Sequence, residues 1–371
     1  MMKPTTTVLL TVSLLAACTT PAVSPLTEQN PSTTTASSSI DTAYWTEQPY
    51  CSGRYQLRLP SKRRHGSTHF DYNGWSVMVM FNDWDRNVRT INRFKRSGYD
   101  GTDIVVDTRT LIPDRAMMQV TRSDFEWEHI IKDRGMPYEA DLYFKLDNND
   151  AYIVRSYFRI PSDHGKAPAN WKAKEKELID GMEKKFRQDF LNNLRVRQEF
   201  EVPNRHGICL IGGFIADDGK KPFTAHTTVE FAKQHDMSLE IMHGDELKKG
   251  EPTLLQHDMS LEIMHGDELK KGEPTLLQRD IAPEKSALAK IFKITGYRTI
   301  RQGQRTINSM SGTEKLIKWD GNKYMLIWER DGGNPRIMMQ FGTEKKDGTK
   351  RSEAEILAIW DTVLPTLKPV E

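Results

Sequence analysis

One stretch of this chain restricts its fold more than any other. Two runs rich in aromatic and aliphatic residues, Asp141 to Leu146 and Tyr152 to Ile160, flank Asp147-Asn148-Asn149-Asp150. Asn and Asp tolerate the left-handed backbone of a tight turn, so the stretch reads as a β-hairpin, and a hairpin commits its surroundings to antiparallel pairing. Runs of strand character recur at Tyr55 to Leu59, Trp75 to Phe81, Ile104 to Val106 and Ala116 to Thr121, bounded by Gly, Pro, Asn or Asp. A helix at about Val88 to Ser97 interrupts them.

The period changes from Asn170 to Leu194. Leu178, Met182, Phe186 and Phe190 recur every four residues between Lys, Glu and Arg, which predicts a long helix with one apolar stripe that covers a sheet. Pro203 and Gly207 follow, and a strand-like run from Ile208 to Ile215 opens a second domain, with the boundary near Glu199 to Asn204. Strands at Thr227 to Phe231, Tyr324 to Trp328 and Ile337 to Phe341 belong to it, the last two joined by Asp331-Gly332-Gly333-Asn334. A closing helix starts at Ser352, whose pairing with Glu355 is a capping box, and buries Ile356, Ile359, Trp360, Val363, Leu364 and Leu367. The expected class is α+β in two domains, residues 44–198 and 199–371, each a mainly antiparallel sheet covered by helices.

Ahead of the folded part, one Lys at position 3 precedes an apolar run from Val8 to Ala17 that ends in Leu15-Ala16-Ala17-Cys18. This reads as a secretion signal, residues 1–17, ending in a lipobox whose Cys18 thiol takes a lipid; the segment is too short to span a bilayer. Thr19, where Asp would favour inner-membrane retention, points to the outer membrane. Residues 18–43, rich in Thr, Ser and Pro, cannot bury enough surface to order themselves and form a tether. The expected location is therefore the periplasm, lipid-anchored. Cys51 and Cys209 remain, and an even pair in an oxidising compartment invites a disulfide; two buried reduced cysteines in separate cores fit the sequence as well.

His235 to Gln256 is repeated letter for letter at His257 to Gln278, 22 residues in each copy. Repeat folds drift between copies and use three or more units, so two identical copies are a duplication and not a solenoid. One copy is expected to supply the native strand and turn.

No catalytic machinery is legible. There is no Gly-x-Ser-x-Gly turn, since Met310-Ser311-Gly312 lacks the preceding glycine, no His-Glu-x-x-His and no phosphate-cradling loop, and Gly212-Gly213 reads as a close backbone contact. His235, His243, His257 and His265, with Asp236, Asp245, Asp258 and Asp267, have metal-binding chemistry, but they are two copies of one pair without ligand geometry. Neither a metal nor a cofactor is expected. Lys62-Arg63-Arg64-His65 is placed in a loop, as a solvated face or a contact with anionic headgroups. Lys and Arg number 53 against 51 Asp and Glu, interspersed for a net charge of +2, which excludes a nucleic-acid partner.

Three landmarks are familiar. Cys51-Ser52-Gly53-Arg54-Tyr55 running to Leu59-Pro60, Gly207 to Ile215, and Glu353 to Leu364 with Ile359-Trp360-Asp361 resemble, in order, the opening motif, the start of the C-terminal domain and the terminal helix of the immunity lipoproteins paired with type VI secretion lipase effectors. Tyr324 to Trp328, Pro335 and Gly342 fall between them in the expected order. The resemblance implies a non-enzymatic protein that binds and inhibits a cognate phospholipase effector; it carries over no effector-contact residues, because these lie in variable surface loops. A general envelope lipoprotein, an assembly or sensing module, is the alternative.

Overall fold

The structure, a computed structural model, describes residues 46–61, 63–94, 103–123, 135–146, 149–163, 166–231, 237–244, 297–319, 321–332, 336–343 and 348–370. Cys18, the signal, the tether and the second copy 257–278 lie outside the described residues. No helix among the described residues is long and apolar enough to cross a membrane.

The strands are β1 (Glu47–Ser52), β2 (Tyr55–Pro60), β3 (Arg63–Tyr72), β4 (Trp75–Met80), β5 (Asp103–Ile112), β6 (Ala116–Ser123), β7 (Met136–Lys145), β8 (Ala151–Ile160), β9 (Leu194–Val196), β10 (Gly207–Leu210), β11 (Gly213–Ala216), β12 (Phe223–Phe231), β13 (Met237–Gly244), β14 (Arg298–Gln304), β15 (Gly312–Trp319), β16 (Lys323–Arg330), β17 (Arg336–Thr343) and β18 (Lys368–Pro369). Helices α1 (Trp84–Phe94), α2 (Trp171–Phe186) and α3 (Glu353–Val363) accompany them. Twelve strands form one antiparallel sheet in the order β14-β15-β16-β17-β13-β12-β3-β4-β8-β7-β6-β5, and three-stranded sheets β1-β2-β18 and β10-β11-β9 flank it. The mainly antiparallel character follows the sequence pattern. The expected separate sheet in each half gives way to one sheet through both, because β12 pairs with β3 from Phe223↔Tyr72 to Phe231↔Arg63.

The hairpin β7–β8 pairs from Met136↔Ile160 to Lys145↔Ala151, and Asn149 in its turn has a positive φ of 66°. Even-numbered residues of β7 and β8, among them Tyr138, Leu142, Tyr152 and Val154, face the first core, where α2 packs Ile179 and Phe186 onto them. The odd-numbered face meets α1 through Trp84, Ile91, Tyr143 and Ile153, which explains why that helix starts earlier than its periodicity suggests.

The second long helix departs from expectation. It changes to a π-helical turn at Arg187–Leu191, and Leu194 already belongs to β9. This turn stacks Phe190 on Phe186 at 5.3 Å, sets both edge-on to Trp75, and turns Asp189 inward. Trp75 Nε1 and Asn73 Nδ2 donate to Asp189 at 3.0 and 3.1 Å, and Lys185 and Lys221 ion-pair with it at 2.7 and 3.0 Å. Burial pushes the Asp189 carboxyl up, yet these donors outweigh it and hold the group below the usual carboxylate range.

The second core lies between α3 and the other half of the sheet. Ile356, Ile359, Trp360 and Val363 cover Leu239, Ile241, Leu326, Trp328, Met339 and Phe341, and Tyr50, Tyr55, Leu57 and Leu59 of β1 and β2 complete it. Ser352 caps α3 through Glu355 in the expected reciprocal box. The edge strands are pinned to α3 by charge: Glu314, 3% exposed, accepts from Trp360 Nε1, Arg301 and Arg305, and both arginines reach Asp361.

Truncating Phe186, fully buried among Trp75 and Phe190, leaves a cavity that the π turn cannot fill by collapse. Phe186→Ala is expected to lose about 3–5 kcal/mol of unfolding free energy, measured by urea denaturation.

Candidate functional site

Besides the β3–β12 pairing, a junction between two hairpins connects the two large cores. The β1–β2 hairpin, part of the second core, reaches β10 of the first, where Gly53 and Cys209 exchange backbone hydrogen bonds of 2.8 and 2.7 Å. Cys51 and Cys209 are joined there by a disulfide with Cα atoms 5.7 Å apart, across 158 residues of chain. Gly53 has φ +55°, and a Cβ on it would overlap the His243 ring, so this closest approach requires glycine.

Arg197 fills the space behind the disulfide. Its side chain, in a residue 5% exposed, donates to the carbonyls of Leu210 at 2.9 Å and Glu201 at 2.8 Å, with longer bonds to Gly213 and Cys51. These acceptors belong to β10, β11, the segment after β9 and β1, so one guanidinium ties four backbone segments together. Burial lowers its pKa from the usual arginine value. Nearby, Ser52 Oγ and Thr227 Oγ1 lie 2.7 Å apart, and Arg54 reaches Asp217 at 3.3 Å and the Lys221 carbonyl at 2.8 Å. His243, at the end of β13, makes a 3.1 Å hydrogen bond with the Ser52 carbonyl and packs edge-on to Tyr55.

Beside the junction five side chains form a continuous stack. Phe81 faces His65 at 6.5 Å, His65 faces Tyr50 at 5.9 Å, and the Arg63 guanidinium lies 5.0 Å from the Tyr50 ring and 4.8 Å from the Phe200 ring. The ends are exposed, Phe81 by 49% and Phe200 by 38%, whereas the Arg63 side chain is 0% exposed and 3.3 Å from Glu199. Tyr157, 68% exposed, stands on the solvent face of β8 opposite Glu139. Exposed aromatic rings held in this way, as Phe81 and Phe200 are, belong to the side chains enriched in protein interfaces.

Several expected features change place. Of the Lys62 to His65 run, Lys62 lies outside the described residues, and Arg63, Arg64 and His65 lie in β3, not a loop, because they pair with Phe231, Glu230 and Val229 of β12; the buried Arg63 guanidinium cannot meet a headgroup. The run Ile208 to Ile215 is a hairpin, not one strand: Leu210 pairs with Gly213 across a turn in which Gly212 has φ +74°. Gly213 lies against the Tyr152 hydroxyl, which donates to the Ile211 carbonyl at 2.6 Å. Ser311 donates to Asp331, and Gly312 packs under Trp328. Of the histidine pairs, His243 is buried at the junction, and His235, His257 and His265 lie outside the described residues; among the described residues no three His, Cys, Asp or Glu are placed to hold a metal. Sequence reasoning missed Arg197 and His243 as junction residues. Nothing local marks Arg197, and His243 was masked by its duplicate.

Residues 201–369 match the family model of the Tle cognate immunity protein 4 C-terminal domain. No curated protein matches the chain by sequence. Its fold is similar to the apo structure of the immunity protein TplEi of the type VI secretion system from Pseudomonas aeruginosa, at 15% identity and a TM-score of 0.56, covering 87% of this chain and 97% of that one. It is also similar to a chain in the crystal structure of a Tle4–Tli4 complex, at 15% identity and a TM-score of 0.55 with the same coverage of both. At that identity the likeness establishes the fold.

Two outcomes follow from the junction. Replacing both Cys51 and Cys209 by Ala should lower stability by roughly 2–5 kcal/mol, and reduction of the native protein should lower its urea midpoint equally. Burial depresses the pKa of His243 to about 3, and burial with Arg63 and Arg197 nearby depresses that of His65 to about 4. Both histidines are thus neutral when folded, and the unfolded chain takes up their protons first as pH falls below 6.5. The stability they allow is complete above pH 6.5 and drains away toward their folded values, by about 2 kcal/mol for His243 between pH 7 and 5. Carboxylates contribute little in that window, so a pH series of urea midpoints should show the fall, and His65→Leu should flatten it.

Proposed function

We propose that this chain is an immunity protein that binds a type VI secretion lipase effector and inhibits it without chemistry of its own. The observation that carries the reading is the immunity-protein domain over residues 201–369, set in a fold like that of a chain in the Tle4–Tli4 complex. The two cores, locked by the disulfide and Arg197, make a pre-organised body, and the exposed ends of the stack, Phe81 and Phe200, supply the anchors. Pre-organised anchors lose little entropy on binding, which is how an interface of roughly 800 Å² per partner reaches nanomolar affinity, about −12 kcal/mol.

We further propose that the body, two domains in chain terms, works in the periplasm, held at the outer membrane by a lipid on Cys18 and a tether over residues 18–43. The lipobox sequence and the Thr/Ser/Pro composition support this. It puts the protein where a phospholipase meets membrane lipid.

Periplasmic expression of the cognate lipase should kill cells lacking this protein and spare cells making it, and the two should co-purify. Phe81→Ala combined with Phe200→Ala should weaken the complex tenfold or more by titration calorimetry while leaving the melting temperature unchanged. Cys18→Ala should move the protein from the membrane fraction to the soluble one. Equal killing in both strains, with no co-purification, overturns the immunity reading.

A further inference from the structure

The first copy of the duplicated segment supplies one of the most enclosed strands in the protein. β13 pairs with β12 from Thr224↔Gly244 to Glu230↔Ser238 and with β17 from Met237↔Thr343 to Gly244↔Arg336. Met237, Leu239 and Ile241 face the second core at 1%, 1% and 0% exposure, and His243, on the same side, plugs the gap beside Gly53. The opposite side carries Ser238 and Met242, also buried. Every side chain in this slot belongs to the sequence Met-Ser-Leu-Glu-Ile-Met-His-Gly, and that sequence occurs again, unchanged, at Met259 to Gly266.

We infer that either copy fills the β13 slot, so that the protein is built to exchange one strand for its duplicate between β12 and β17. Complementarity does not discriminate: Met259, Leu261, Ile263 and His265 reproduce Met237, Leu239, Ile241 and His243 at identical spacing, and Gln-His-Asp precedes both copies. With no difference in side chains, the connections decide the balance. With the first copy in place, residues 232–236 lead in from β12 and 245–297 lead out to β14; with the second, 232–258 lead in and 267–297 lead out. Closure entropy varies only as the logarithm of loop length, so the first arrangement is favoured by about sixfold and the second is a populated state. A one-residue register slip would send Met237, Leu239 and Ile241 to the wrong face, but exchange by a whole copy preserves the face of every residue.

The exchange is independent of any partner and is tested on the full chain. Ile241→Asp puts a carboxylate into the core from the first copy and leaves the second intact. The variant is expected to stay folded, its folding equilibrium constant reduced only about sevenfold, the loss of the favoured arrangement. Ile241→Asp with Ile263→Asp leaves no intact copy and should abolish cooperative unfolding. The substitution also makes peptides from the two copies differ in mass, so hydrogen exchange read by mass spectrometry separates them: in Ile241→Asp, protection should appear at 259–266 and vanish at 237–244. If Ile241→Asp unfolds as completely as the double variant, or if the double variant still folds, strand exchange is wrong.

Discussion

Pairing between β3 and β12 sets opposite one another residues as remote in sequence as Phe70 and Ala225, and it turns two half-sheets into one. Long-range strand pairing is entropically costly because the chain between must close as a loop. The disulfide between Cys51 and Cys209 closes nearly the same loop. With the bond in place the unfolded chain has already given up most of that closure entropy, so β3 and β12 meet at reduced cost. Covalent bond and strand pairing therefore act on one degree of freedom, and the junction around Gly53 is where both are enforced.

Charge is buried in this fold at three places where elements end or meet. Asp189 sits in the π turn that stops α2, Glu314 joins the sheet edge to α3, and Arg197 lies where four backbone segments converge. Each is compensated. Asp189 has two amine partners and two neutral donors, Glu314 two guanidinium partners and an indole, and Arg197 a ring of carbonyls. A buried ion with several partners gives little net stability over an apolar replacement, but removing one partner strands the rest. These clusters fix where elements stop and how they meet, while the apolar layers supply most of the stabilisation.

What the sequence makes legible follows from which of these forces are local. The hairpin β7–β8 announces itself through its Asn and Asp turn, and α3 through its capping box, because both depend on residues within a few positions of one another. Asn73-Gly74 is an equally local signal, with φ of 50° and 83° in the turn between Tyr72 and Trp75, and reading it as a two-residue hairpin would have revealed β3. The polar strands β14 and β15 were illegible, because Arg298, Arg301 and Lys318 find carboxylate partners on α3, which arrives late in the sequence. Leu194 kept the helical period and still left the helix, since the inward turn of Asp189 is decided by Trp75 and Asn73 on the other side of the core. The disulfide was legible as a pair of cysteines and not as a geometry, and Arg197 carried no mark, since its acceptors are backbone carbonyls gathered by the fold. Exposed aromatic residues such as Phe81 and Phe200 stayed hidden for a related reason: exposure of an aromatic residue is a property of the finished surface.

The place of the duplication explains why the fold accommodates it. β13 lies beside β12 in the middle of the sheet, whereas β14, the next strand in the chain, forms its far edge beyond β17, β16 and β15. Neighbouring strands are about 4.8 Å apart, so the connection from β13 to β14 spans roughly 19 Å, and a long link is needed with or without the extra copy. Extending it from 31 to 53 residues, the difference of one copy, costs about 0.5 kcal/mol in closure entropy. Inserted into the two-residue turn at Asn73-Gly74, the same segment would break the register that carries β3 to β12. At the β13–β14 connection it leaves every strand pair in place, and it gives the chain a second copy of a strand that the core already fits.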